Sequence, residues 1–98
     1  MRIAAGLHPH NAKHWGPEIE ECLRALLHDK RTSCLGEIGL DYHYDLSPRE
    51  DQERAFRAQV RIAKEAGLPV MLHVREAHDD ALAIMRDEGW PEAGCILH

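Results

Sequence analysis

The 98-residue sequence holds three cysteines, Cys22, Cys34 and Cys95, and no C-x-x-C pair. An odd, scattered set builds neither a disulfide framework nor a thiolate metal site, and reads as buried, reduced thiols. There is neither a signal-peptide pattern nor an apolar run of the roughly 20 residues that span a bilayer. No membrane partner is therefore expected, and the expected location is the cytoplasm. Positive charge is not in excess: twelve Lys and Arg stand against seventeen Asp and Glu, a net charge of −5. That argues against a passive nucleic-acid sleeve, which needs a basic face. It leaves room for an enzyme that meets phosphate through bound cations. No G-x-G-x-x-G follows an apolar strand, which counts against a dinucleotide fold.

At 44% hydrophobic and 30% charged, the composition is globular, and the length allows one small domain at most. Histidine is abundant, eight in 98 residues, which raises the prior for metal or acid–base chemistry.

The apolar runs are short and continuous. Ile3 to Leu7 ends at His8-Pro9-His10, Cys34 to Ile38 contains Glu37, Val70 to Leu72 ends at His73, and Cys95 to Leu97 ends at His98. Between them lie stretches with helical spacing. Asn11 to Gly16 reads as a polar loop, and Pro17 opens a helix with Ile19, Cys22, Leu23, Leu26 and Leu27 on one face. Ser47-Pro48-Arg49-Glu50 reads as a capped helix start, Phe56, Val60 and Ala63 as its inner stripe, and Gly67 as its stop. Pro69 opens the next strand, and a third helix runs from Ala77 to Glu88, stopped by Gly89. The order is β-α-β-α-β-α-β. Strands separated by helices run parallel with right-handed crossovers, and continuous apolar strands are covered on both faces. Two architectures remain, a doubly wound open sheet and part of a (β/α)₈ barrel. Polar residues ending all four strands fit the barrel better.

Those strand ends carry the candidate chemistry. Glu37 lies within an apolar strand between Gly36 and Gly39, where an unpaired carboxylate is costly to bury. A cation or a bound proton resolves the cost. His73 and His98 each read alone as buried histidines bonded to a carbonyl. Taken with Glu37 they form a set of nitrogen and oxygen donors suited to zinc, manganese or related cations. Such a cation lowers the pKa of a bound water and polarises a phosphoryl oxygen. Arg75, two residues after His73, reads either as a fork for a substrate phosphate or as a surface ion pair. His8 and His10 read as substrate or leaving-group contacts, or as loop structure, with His8 favoured. Asp41 fits an outer carboxylate that orients a ligand histidine, and equally a turn cap. Tyr42 fits a pocket wall or the core. His14, His28, His43 and His78 read as solvated, and Trp15 and Trp90 as loop packing.

Four stretches, Gly6-Leu7-His8-Pro9-His10, Gly36-Glu37-Ile38-Gly39-Leu40-Asp41-Tyr42, His73-Val74-Arg75-Glu76-Ala77 and Ile96-Leu97-His98, resemble the TatD family of metal-dependent deoxyribonucleases. The resemblance implies α/β architecture as a partial TIM-type (β/α)₈ barrel, with four parallel strands and three intervening helices. It implies phosphodiester hydrolysis with divalent metal ions (Zn, Mn or Mg) and DNA as substrate. By that resemblance Glu37 is the catalytic carboxylate bridging two metals, and His73 and His98 complete the ligands of one of them. His8, Arg75 and Tyr42 surround the substrate, and Asp41 is the orienting carboxylate.

The chain also departs from the family pattern. Neither the H-x-H pair of the family's first strand nor its late Thr-Asp motif is present. Residues 1–98 therefore read as one partial domain, about strands two to five of eight, without the second metal's histidines and aspartate. Weak single-metal binding, poor or absent DNA hydrolysis, and self-association through open strand edges are the expectations. The competing readings are a metal-dependent hydrolase of a non-nucleic ester, lactone or amide, and a non-catalytic metal-binding or assembly module.

Overall fold

A computed structural model describes residues 3–97 of the chain. Four strands, β1 (Ile3–Ala5), β2 (Thr32–Asp41), β3 (Val70–Arg75) and β4 (Cys95–Leu97), alternate with three helices, α1 (Pro17–Leu27), α2 (Arg49–Ala66) and α3 (His78–Glu88). The strands form one parallel sheet in the order β1-β2-β3-β4, so each crossover sets the next strand beside the last. This is the expected architecture.

The core lies between the sheet and α2. Leu35, Ile38, Leu40 and Val70 from the strands meet Phe56, Val60 and Ala63 from the helix, all fully buried. Ile84 and Met85 of α3 extend the same cluster. Pro17 opens α1, where its fixed φ suits a first turn. Gly67 closes α2 in the left-handed conformation at φ 69°, donating to the carbonyls of Ala63 and Lys64.

Several local expectations are corrected. Ser47 does not cap α2. Its hydroxyl donates to the His10 carbonyl at 2.9 Å and accepts from the Lys13 N–H at 3.1 Å, which ties the β2–α2 loop to residues 10–13. Those residues are not a polar loop but a 3₁₀ helix over Pro9–His14. The first strand stops at Ala5, and the second runs on to Asp41. Cys34 is buried as expected, whereas Cys22 and Cys95 are exposed. Trp15 is packed into the core, while Trp90 is half exposed. His98 lies outside the described residues.

The β2–β3 pairing sets up the site. Gly36 pairs with Met71 and Ile38 with Leu72, so Glu37 is an extra residue on β2 at a bulge. Bulges re-aim a side chain out of the ladder's alternation. The strands approach so closely here that a Cβ on Gly36 would stand 2.6 Å from both the Cβ and the carbonyl oxygen of Met71. At Gly39 a Cβ would run into the His73 carbonyl, and its φ of +144° disfavours any other residue.

On the outer surface α2 and α3 are joined through Glu88. Its carboxylate accepts from Arg61 Nε at 2.6 Å and from Arg57 Nη1 at 3.1 Å, and Lys64 Nζ donates to its backbone carbonyl at 2.6 Å. The Arg61 bond, aided by Arg57 and opposed by burial, holds the Glu88 carboxyl below its ordinary 4.5. A depressed carboxylate stabilises the fold above its unfolded pKa and loses that contribution as pH falls. Glu88→Gln should therefore lower the melting temperature at pH 7, and the gap from the parent should narrow by pH 3; thermal melts at both pH values check this. Phe56→Ala, which empties a fully buried site facing the sheet, should destabilise the chain by about 3–5 kcal/mol in urea titrations.

Candidate metal centre

The carboxyl ends of β1, β2 and β3 bring His8, His10, Glu37, Asp41 and His73 together. The 3₁₀ helix supplies His10, with His8 as its N-cap residue. The β2 bulge aims Glu37, the end of β2 supplies Asp41, and His73 lies opposite Gly39 in the β2–β3 register. Ring centres of His8 lie 4.2 Å from His10 and 4.6 Å from His73.

Asp41 organises the group. Its side chain has no solvent exposure. Oδ2 accepts from His10 Nε2 at 2.8 Å and from His73 Nε2 at 2.9 Å, and Oδ1 accepts from the backbone N–H groups of His43 and Tyr44. Burial is the largest influence on its pKa and pushes it up. The bonds from His10, Tyr44 and His73 together outweigh burial and hold the carboxyl well below the usual range. An ionised carboxylate only accepts, so both imidazoles must carry their protons on Nε2. In the neutral ring the lone pair then falls on Nδ1 of His73, which stands 4.0 Å from Glu37 Oε1.

The His8 tautomer is the other one. Its Nδ1 accepts the backbone N–H of His10 at 3.2 Å. Burial, then the neighbouring His10 and His73, lower its pKa against the pull of Glu37 and Asp41, so the ring is neutral at pH 7. A neutral ring accepting at Nδ1 carries its proton on Nε2. That N–H stands 3.6 Å from Glu37 Oε1.

These tautomers separate the roles open to the three histidines. One nitrogen from each ring lies within 4.8 Å of those of the other two, yet the nitrogen that His8 turns toward Glu37 is a donor, while a neutral His73 offers a lone pair at Nδ1. Two donors each about 2.1 Å from a tetrahedral cation stand about 3.4 Å apart. The 4.0 Å between His73 Nδ1 and Glu37 Oε1 is too long for a hydrogen bond and somewhat wider than that spacing. Imidazole nitrogen beside carboxylate oxygen fits a divalent cation such as zinc or manganese.

Of the remaining expected site residues, Arg75 lies beside this cluster, and Tyr42 packs toward α2 and α3. The Arg75 guanidinium sits 5.1 Å from the ring centre of Tyr44, which in turn lies 5.7 Å from the His10 ring. Arg75 is thus at the rim, connected to the histidines through Tyr44. The Tyr42 hydroxyl donates to Asp80 of α3 at 3.0 Å, and Arg49 of α2 covers its ring at 4.1 Å. Burial, then the Asp80 bond, raise the Tyr42 pKa, so the phenol stays protonated. His43 is paired with Glu76 at the exposed surface.

Sequence reasoning missed Tyr44 and two buried glutamines of α2, Gln52 and Gln59. The glutamines hold the backbone of Asp41 and of Leu7 respectively. Their signal was an amide falling on the same stripe as Phe56, Val60 and Ala63.

Among known proteins, a family described as TatD related DNase matches residues 1–98. A 3'-5' ssDNA/RNA exonuclease TatD of Klebsiella pneumoniae (strain 342) is 40% identical over 96 residues, covering 96% of this chain and 36% of that protein. An uncharacterized metal-dependent hydrolase, YabD, of Bacillus subtilis (strain 168) is 38% identical over 95 residues, covering 97% of this chain and 37% of that protein. The crystal structure of YjjV, a TatD homolog from Escherichia coli K12, superposes with a TM-score of 0.86 at 31% identity, covering 97% of this chain and 38% of that one. The chain thus spans somewhat over a third of the length of the curated relatives it matches. Matched along its whole length by the family's pattern, with a parallel α/β segment that superposes on a solved member, the chain belongs to the TatD related DNase family.

Proposed function

We propose that this chain carries part of the active centre of a metal-dependent nuclease that hydrolyses phosphodiester bonds in DNA. The observation that carries the reading is the pair of donors, Glu37 Oε1 and His73 Nδ1, 4.0 Å apart beside the neutral N–H of His8. Glu37 and His73 would hold a divalent cation, with His98 as the further ligand expected from the sequence. When bound, the cation supplies an activated water and polarises a phosphoryl oxygen. The protein's own groups do the rest. Asp41 keeps His73 turned with its lone pair toward Glu37 and fixes His10 by the same oxygen. His8 Nε2–H lies beside Glu37 Oε1 as a neutral donor suited to a phosphoryl oxygen. Arg75, laid against Tyr44 at the rim, presents a fork for a flanking phosphate. Tyr44, more than half exposed beside that guanidinium, offers a surface on which a base can stack.

Manganese titration calorimetry and cleavage of an end-labelled single-stranded oligonucleotide test the reading. Manganese should bind, and Glu37→Gln and His73→Ala should each weaken binding beyond the roughly 10–100-fold cost of losing an outer partner of a metal ligand. Manganese-dependent cleavage should be slow and absent in Glu37→Gln. A chain that binds no manganese, or that turns over lactones and leaves the oligonucleotide intact, sinks it.

A second reading, an assembly module, is favoured by the outer face of α3 and β4. Leu82, Trp90 and Leu97 are 43–65% exposed there, around an apolar groove of about 220 Å³. Light scattering of the 98-residue chain should show concentration-dependent association that Leu97→Glu reduces. A strictly monomeric parent chain rules this reading out.

A further inference from the structure

The two glutamines of α2 are buried, polar and seven residues apart, on one face of the helix. Each grips both backbone groups of a single residue at a strand end. Gln59 Oε1 accepts the Leu7 N–H at 2.7 Å, and Gln59 Nε2 donates to the Leu7 carbonyl at 3.2 Å. Gln52 Oε1 accepts the Asp41 N–H at 2.8 Å, and Gln52 Nε2 donates to the Asp41 carbonyl at 3.2 Å. The second amide proton of each has its own acceptor, Ala55 O for Gln59 at 3.1 Å and Ser47 O for Gln52 at 2.9 Å. No buried side-chain nitrogen or oxygen among the described residues lacks a partner.

An amide presents a carbonyl and an N–H side by side, the same pair that a neighbouring strand offers to a ladder. Leu7 lies beyond the end of β1, where the chain has left the sheet. Asp41 is the last residue of β2. At both places a side chain of α2 takes the part of a strand. The residues so gripped are not arbitrary. Leu7 immediately precedes His8, and Asp41 carries the carboxylate that holds His10 and His73. A helix of the outer layer therefore sets, through two amides about 10 Å apart along its axis, where two separate strand ends stand.

We propose that Gln52 and Gln59 are positioning residues of the metal-dependent site. Gln52 governs the Asp41–His10–His73 arm and Gln59 the His8 arm. The proposal rests on the reading of the site given above, and its consequences divide by residue. Losing the Gln52 amide frees the Asp41 backbone and lets both imidazoles leave the Nε2–H form. Losing the Gln59 amide frees Leu7 and releases His8 from its place as N-cap.

The test uses Gln52→Met and Gln59→Met, which keep length and lose the amide, with Val60→Ala as a core change on the same helix that destabilises without touching either amide. Three quantities are read on the 98-residue chain: backbone amide exchange, imidazole tautomers by nitrogen NMR, and cobalt(II) affinity by visible absorption. In Gln52→Met the Asp41 amide should exchange at least about tenfold faster. His10 and His73 should lose their single-tautomer signals, and cobalt affinity should fall about 10–100-fold. In Gln59→Met the same should happen to the Leu7 amide and to His8. Val60→Ala should leave the imidazole signals in place despite an equal or larger drop in melting temperature. Tautomers that persist in both glutamine variants, or that are lost equally in Val60→Ala, overturn the proposal. Should a glutamine variant not fold, the parent chain decides. Slow exchange of the Gln52 and Gln59 Nε2 protons, matching strand amides, supports the clamps, and free exchange overturns them. If the parent chain binds no cobalt, the metal reading falls by itself, and the tautomers still decide the positioning role.

Discussion

A single buried carboxylate carries the arrangement of the site. Asp41 has no solvent exposure and accepts four hydrogen bonds, two from imidazoles and two from backbone amides. A charge removed from water is tolerated only when its oxygens are fully engaged, and here each partner is also a structural commitment. The imidazoles come from the 3₁₀ helix and from β3, and the amides from the turn that follows β2. Satisfying one charge thus holds three segments in a fixed relation. The same bonds assign the tautomers of His10 and His73, and through them which nitrogen faces Glu37.

The electrostatics divide the labour among the histidines. His73 is turned by Asp41 so that Nδ1, which carries the lone pair of the neutral ring, faces Glu37. His8 is turned by a backbone N–H so that Nε2–H does, and burial among like rings keeps it neutral. A donor beyond the end of β1 and an acceptor on β3, with Glu37 of β2 between them, differ from three equivalent ligands. The pattern pairs a hydrogen-bond donor with an acceptor. It arises from hydrogen bonds made on the sides of the rings away from Glu37, which is where such tuning ordinarily resides.

The architecture was legible from the chain because its signals are local. Short continuous apolar runs, each followed by a helical stripe with Pro at its start or Gly at its stop, leave little choice but parallel strands with helical crossovers. Glu37 and His73 were legible for a related reason. A charged or titratable residue set in an apolar strand next to glycine conflicts with burial, and the conflict marks a site. The Ser47 cap was misread because its hydroxyl has two uses of similar energy. The residues of the 3₁₀ helix, distant in sequence, offered the better-placed partners.

What the sequence by itself determined was the order and type of elements, and with them the strand ends that carry Glu37 and His73 as candidate donors. What only the tertiary structure decided was which partners those groups find. The joining of His10 to Asp41 spans 31 residues, and the grip of Gln59 on Leu7 spans 52. Periodicity reports which face of an element is buried, but not which distant backbone will meet it. A glutamine on an apolar stripe looks like an interruption until folding brings a strand end with two unsatisfied backbone groups against it. The bulge that aims Glu37 has the same origin, since it exists only in the register between two strands and in neither strand alone.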